Sequence, residues 1–241
     1  MLPADVARAL SERRAEVTTS RPAPADFSSV YAGLVSSGHE VVSVHLSSRL
    51  SGTYSAACSA AAPFDGSVVV IDSGSTGMGL GFPVLAAASS AASGGGLDEV
   101  REAAEAAIER TTTLFYVDTL EFLRRGGRIG AASALVGTAL AVKPILHVAG
   151  GEIVARDKVR TAGRALARLI DLAADAAGES DVDIAVHHVA APERAALVLA
   201  RLEERLRTCD RYVVEAGAVV AAHVGPGFAG VVVHRRADRP A

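Results

Sequence analysis

The stretch HLSSRLSGTYSAA, His45 to Ala57, concentrates the side chains most able to do chemistry. Val41-Val42-Ser43-Val44 before it reads as a buried strand, and Tyr54 to Ala62 after it reads as a helix that Pro63 prevents from continuing. Between them Ser47, Ser48, Ser51, Gly52 and Thr53 make a turn dense in hydroxyls. A strand feeding such a turn at a helix N-terminus leaves backbone N–H groups pointing outward, and the helix dipole adds partial positive charge there. The turn therefore reads as an anion site. With no glycine-rich phosphate loop and no lysine beside it, the pattern favours a small, singly charged anion such as a carboxylate.

A second polar group with a specified direction is His223. It stands in His-Val-Gly-Pro-Gly, where glycine and proline dictate a tight backbone path. It reads either as a ligand contact or as a satisfied, partly buried histidine. Other chemistry fits less well. Gly77, Gly79 and Gly81 follow a strand, but Val84 stands where a dinucleotide fingerprint needs Gly or Ala, and Pro83 falls inside the following helix. Close backbone approach, by the chain or by an apolar ligand, explains these glycines better. A Ser51–His223 hydrolase lacks both a nucleophile elbow and an orienting acid. His187 and His188 are adjacent on a strand and face opposite ways, so they cannot share a metal ion; one is expected in the core and one outside.

The elements that must position these groups alternate strand and helix in the first half. Helices are expected over residues 4–16, Asp26 to Ser36, an alanine-rich stretch after Pro83, and Leu97 to Arg110, with a second β-branched strand at Ser67 to Ile71. Alternation of this kind makes a parallel, doubly wound sheet. In the second half Leu114 to Val117 reads as a strand. A helix through Glu121, the turn Arg124 to Arg128 and another helix to about Leu140 follow. Pro144 to Val148 and Glu152 to Val159 bracket a hairpin turn at Ala149-Gly150-Gly151. Helices at Thr161 to Ala177 and Pro192 to Arg207, a strand at Asp183 to Val189 and two apolar runs around His223 to Gly227 complete it. The fold class is therefore α/β in two domains. Residues 1–112 form a parallel doubly wound sheet domain, and residues 113–241 an α+β domain with a mixed or antiparallel sheet.

Composition excludes several function classes. Net charge is −3 with no long run of one sign, which argues against a nucleic-acid surface. The apolar stretches at 131–142 and 216–233 are interrupted, so neither resembles a spanning helix of about 20 residues. Cys58 and Cys209 make no metal-ligand spacing, and Cys58 reads as a buried small hydrophobe. Without a disulfide framework or a signal peptide, a cytoplasmic location is expected. Of 24 basic residues only Lys143 and Lys158 are lysine, so a single arginine is the chain's ordinary cation and weak evidence by itself.

TTSRPAP, HLSSRLSGTYSAA, VIDSGSTGMGLG, FYVDTLEFLRRGGRIG, KPILHVAGGEI, KVRT and AHVGPGFAG run in this order from Thr18 to Gly230. Together they resemble the DegV family, the fatty-acid-binding partners of bacterial fatty acid kinase. The resemblance implies two α/β domains with a long-chain acyl group in a tunnel near their junction. It maps the carboxylate-binding positions onto Thr19, Ser51, Gly52 and His223. It makes Arg128 and Arg160 candidates for contact with the kinase or an acyl phosphate. It implies no catalysis by this chain, no cofactor and no metal, with a fatty acid and a fatty acid kinase as partners and at most transient membrane contact. Burying a methylene contributes about 0.8 kcal/mol, so a chain of roughly fifteen contributes on the order of 10 kcal/mol before ordering costs. Ala56, Ala57, Ala60 and the glycines at 77, 79 and 81 would leave room for it. Family members begin with a strand ending in an Asp-Ser-Thr-like turn, upstream of the TTSRPAP segment; here no such strand is read between Met1 and Thr19, which implies an open sheet edge. An upstream start or a shortened relative would each explain it. The alternatives are an acyl- or phosphoryl-transfer enzyme using the same cleft, or a non-binding regulatory relative.

Overall fold

The computed structural model describes residues 3–12, 17–64, 66–135 and 142–237. The chain divides into two compact units. One comprises Ser20–Arg110 with Gly150–Glu152; the other comprises the described residues of Met1–Thr19, Thr111–Ala149 and Ile153–Ala241. The segment before Thr19 thus groups with the second half of the chain, although the sequence division at 112/113 places it with the first.

In the Ser20–Arg110 unit, α2 (Pro24–Ser36), β1 (Val41–His45), α3 (Thr53–Ala61), β2 (Val68–Asp72), α4 (Met78–Ala92) and α5 (Leu97–Glu109) follow in order, after α1 (Pro3–Ser11) in the other unit. β1 and β2 are parallel, paired from Val41↔Val68 to His45↔Asp72. Their two-residue period sorts side chains onto opposite faces. Val42, Val44, Val69 and Ile71 pack with Ala87 of α4 and with Val100 and Ala104 of α5. Val41, Val68 and Val70 pack with Phe27 and Tyr31 of α2 and with Ala60 and Ala61 of α3. Helices on both faces are the reason the strands read as continuous apolar runs. Ser43 is polar yet placed: its hydroxyl lies 2.8 Å from the Tyr31 hydroxyl and 2.8 Å from His45 Nε2. Pro24 starts α2 where no N–H is needed, and Asp26 accepts from the Ala23 N–H at 3.0 Å.

The second unit is built on a six-stranded mixed sheet. Its strands are β3 (Thr111–Tyr116), β4 (Lys143–Ala149), β5 (Glu152–Val159), β6 (Asp181–His188), β7 (Arg207–Glu215) and β8 (Ala229–Arg235) in spatial order β5-β4-β3-β8-β6-β7. β8 is antiparallel to both β3 and β6, while β6 and β7 are parallel. The helices are α6 (Glu121–Arg125), α7 (Ala162–Ala177), α8 (Pro192–Glu203) and α9 (Ala218–Val224). Leu166, Leu169 and Ile170 of α7 and Val198 and Leu202 of α8 close over Tyr116, Ile145, Ile184, Val186, Val231 and Val233. The Thr161 side chain accepts from the Arg164 N–H at 3.3 Å to open α7, and Gly178 ends it at φ 58°. The hairpin turns on Gly150 and Gly151, at φ 56° and 81°, the two positive values of a two-residue primed turn.

Three local expectations are corrected, and one unassigned run gains its element. α8 ends at Glu203 and Arg207–Glu215 is strand β7, not the helix's last turn followed by an apolar run. β7 is an edge strand, with Val213 and Val214 50% and 39% exposed, so pairing to β6 rather than a buried face makes it a strand. The apolar run before Gly225 is helix α9. A 3-10 turn, Gly130–Leu135, stands where a helix to Leu140 was expected; residues 136–141 lie outside the described residues, as do 13–16 of the expected first helix. Cys58 is half-buried rather than buried.

The core histidine is His187, while His188 is half-buried. Burial, with the adjacent His188 second, pulls the His187 pKa down to about 4. A depressed histidine leaves stability untouched above its unfolded value of 6.5. As pH falls from there to about 4, the unfolded chain takes up the proton first and the fold weakens. The loss amounts to about 3 kcal/mol at most. Denaturant unfolding from pH 7 to pH 4 is expected to show it, and His187→Asn to have the shallower pH slope; identical slopes would refute the assignment.

Candidate functional site

Asp118, two residues past β3, organises the second unit's site. Arg194 of α8 donates to Asp118 Oδ2 at 2.9 Å and to the Gly227 carbonyl at 2.6 Å. Lys143 Nζ donates to the Asp118 carbonyl at 2.9 Å, and the Tyr116 hydroxyl donates to the Asp118 carboxylate. Burial, then that hydrogen bond, holds the Tyr116 phenol well above its ordinary value. The network anchors the turn between α9 and β8. Gly227 has φ 82°, and a Cβ there would lie 2.0 Å from Asp118 Oδ2; Gly225 has φ 75°, and a Cβ there would lie 2.1 Å from the Phe122 ring. Both positions demand glycine twice over, by conformation and by space.

That turn carries His223, in the last turn of α9. Thr19 Oγ1 and His223 Nε2 are 2.9 Å apart, joined across 204 positions of chain. His223 Nδ1 is buried and has no hydrogen-bond partner among the described residues. Burial, followed by the nearby Arg128 guanidinium, lowers the His223 pKa, so the imidazole is neutral at pH 7. Arg128 in turn donates to the Gly126 carbonyl at 2.6 Å. Thr18, Thr19, Arg125, Arg128 and His223 line a cavity of about 280 Å³, with Leu10 of α1 in its wall. Its surface combines two cations, hydroxyls and an imidazole. Arg160 is exposed just past β5 and does not line this cavity.

Ser51 and Gly52 lie in the other unit. The turn uses more of its own N–H groups than expected. Asp72 accepts from the Ser48 N–H at 3.2 and 3.1 Å and from the Gly74 N–H at 2.8 Å. The N–H groups of Ser47, Arg49, Leu50 and Ser51 also find protein acceptors. The anion-binding expectation therefore contracts to the start of α3, where Gly52 is the N-cap and Ser51 Oγ lies 2.8 Å from Thr53 Oγ1. Arg21 lies against Gly52: a Cβ there would be 2.5 Å from the guanidinium Nη1. Ser47 donates to the Gly151 carbonyl at 2.6 Å, and Arg49 pairs with Glu152 at 2.6 Å. Of the expected glycines, Gly77 needs its φ of 58° at the α4 N-cap, and Gly81 faces the Met78 side chain of its own helix.

Thus Thr19, His223 and Arg128 come together in one unit, and Ser51 and Gly52 occupy one turn of the other. The reading of residues missed Asp118 and Arg21. Each stood inside a quoted motif, and an acid directly after a strand that ends in Phe-Tyr-Val was the available signal for Asp118. Among the described residues no cluster of His, Cys, Asp or Glu could hold a metal ion, and no helix is long and apolar enough to cross a membrane. Asp118→Asn is expected to lower stability by about 1–2 kcal/mol, because it leaves Arg194 half-buried without its counter-charge. Urea unfolding with no shift in midpoint would contradict the anchoring role.

Comparison with known proteins agrees with this architecture. A family model described as an uncharacterised protein of the DegV family matches residues 2–236. A DegV domain-containing protein of Streptomyces coelicolor is 53% identical over 233 residues, covering 96% of this chain and 83% of the relative. A solved structure described as fatty acid binding of a DegV family protein from Thermus thermophilus superposes with a TM-score of 0.92 at 33% identity, covering 98% of this chain and 85% of that one. DegV of Bacillus subtilis, described as a fatty acid binding protein, superposes at 0.82 with 31% identity, covering 96% and 83%. With a family match over nearly its whole length and a relative 53% identical over 96% of it, the chain belongs to the DegV family.

Proposed function

We propose that this protein is a cytoplasmic carrier that binds a long-chain fatty acid and presents its carboxylate to a fatty acid kinase. The observation that carries the proposal is the Thr19–His223 pair at 2.9 Å beside Arg128 in the cavity wall, in a chain whose structural relatives are described as fatty acid binding.

The chemistry follows from the imidazole. His223 is neutral, so one ring nitrogen carries the proton. A buried N–H without an acceptor is rarer and costlier than a buried bare nitrogen, which assigns the proton to Nε2. Nε2–H then donates to Thr19 Oγ1, leaving the Thr19 hydroxyl proton free to donate to a carboxylate oxygen. Within the other unit, Ser51 and Gly52 are also proposed as carboxylate-binding residues, with Arg21 against Gly52 as an adjacent cation. The chain itself breaks no bond. Phosphoryl transfer belongs to the kinase, and Arg128 and Arg160 are proposed to meet the partner or the added negative charge of an acyl phosphate.

Native mass spectrometry of the purified chain, with organic extraction, is expected to find a long-chain fatty acid. Thr19→Val, Ser51→Ala and His223→Ala are each expected to weaken its retention about tenfold or more. Arg160→Ala is expected to retain it and impair coupling to the kinase. Undiminished retention in the three site variants would remove the carboxylate assignment, and turnover of a model ester or of ATP by the isolated chain would favour an enzyme.

A further inference from the structure

We infer that Gly126 sets the direction of the His223 imidazole and is therefore a positioning residue for carboxylate binding. The inference rests on the fatty-acid reading above. α6 and α9 meet through two reciprocal contacts, each a ring against a glycine. Phe122 and Gly126 are four apart, on one face of α6 and its C-cap. The Phe122 ring fills the space over Gly225, and the His223 ring fills the space over Gly126.

The two adjacent glycines after α6 have different reasons to be glycine. Gly127 has φ 68° and nothing within 4 Å of a Cβ, so its conformation alone requires glycine. Gly126 is the reverse. Its φ of −73° and ψ of −6° are ordinary right-handed values that alanine adopts freely. Its only obstacle is space: a Cβ would stand 2.2 Å from His223 Nδ1 and 2.8 Å from Cε1, while the nearest backbone atom, the Phe122 carbonyl oxygen, is 3.2 Å away. The imidazole, on two rotatable bonds, is what must give. Rotating it away from Gly126 takes Nε2 off Thr19.

The partnerless Nδ1 fits the same account. A histidine free to choose its rotamer would turn that nitrogen toward a partner. Here the ring lies edge-on against a residue with no side chain, where no acceptor or donor among the described residues reaches Nδ1, and the opposite nitrogen is delivered to Thr19. The glycine is thus the socket that aims the ring.

The test is a double-mutant cycle of Gly126→Ala and His223→Ala in the full chain. It is read by oleate affinity and, in the His223-containing proteins, by ¹⁵N NMR of the His223 ring against pH. Gly126→Ala is expected to weaken oleate about tenfold or more. It should also change the His223 tautomer signals and let the ring titrate nearer its ordinary range. In the His223→Ala background the same substitution is expected to change affinity less than about twofold, because no ring is left to displace. If Gly126→Ala lowers the melting temperature, His223→Ala should restore it. Wild-type affinity with unchanged His223 signals, an equal loss in both backgrounds, or a melting loss that the double variant keeps would overturn the inference. Should His223→Ala alone bind oleate normally, the carboxylate reading fails, and the ring signals of Gly126→Ala still decide whether Gly126 aims His223.

Discussion

β8 is paired on both edges, to β3 and to β6, and Ala229 to His234 are all buried. A strand in that position cannot slip, since a shift by one residue would exchange its two faces and put Gly230, which sits against Phe228 and His187, where a valine now packs. Everything just upstream inherits this constraint. The chain leaves β8 backwards through Gly227, whose carbonyl Arg194 holds at 2.6 Å, and then through Gly225, pressed against Phe122. Two glycines and one proline leave the path little freedom. His223 therefore arrives at Thr19 because a central strand is immobile, and not because the two residues attract each other strongly.

Charge beside the Gly225–Gly227 turn is organised around one acid, Asp118, and a few cations. Asp118 has Arg194 at 2.9 Å and Lys143 at 3.8 Å, an arrangement in which each half-buried charge offsets the desolvation of the others. Arg128 has a different effect: its field adds to burial and keeps His223 neutral. Several other pairs, such as Arg101 with Asp98 and Glu105, are exposed helix-surface contacts worth little. An arginine-rich chain disperses its cations in this way, so the few that matter are told apart by burial and neighbours, which composition does not reveal.

Legibility followed the strength of local signals. β1 and β2, continuous apolar runs bounded by polar turns, were readable to within a residue because helices cover both their faces. α7, with a threonine N-cap and a glycine stop, was equally plain. β7 was not, because its side chains face solvent and only hydrogen bonding to β6 makes it a strand. The site was half legible. The direction of His223 was visible in His-Val-Gly-Pro-Gly, and the hydroxyl-rich turn in Ser47 to Thr53. That turn's internal use of its N–H groups was hidden, since Asp72 lies on the next strand.

By itself the sequence determined the alternation of elements, the places where the backbone must be glycine or proline, and the family. Each is set by the periodicity, conformation or residue type of neighbouring positions. Tertiary structure alone decided which polar groups meet: Thr19 with His223 across 204 residues, Arg194 with Asp118 across 76, and Gly126 with the His223 ring. Such partners are joined by the packing of strands and helices far apart in the chain. A side chain's own type states what it can bond to but not what the fold brings within 3 Å of it.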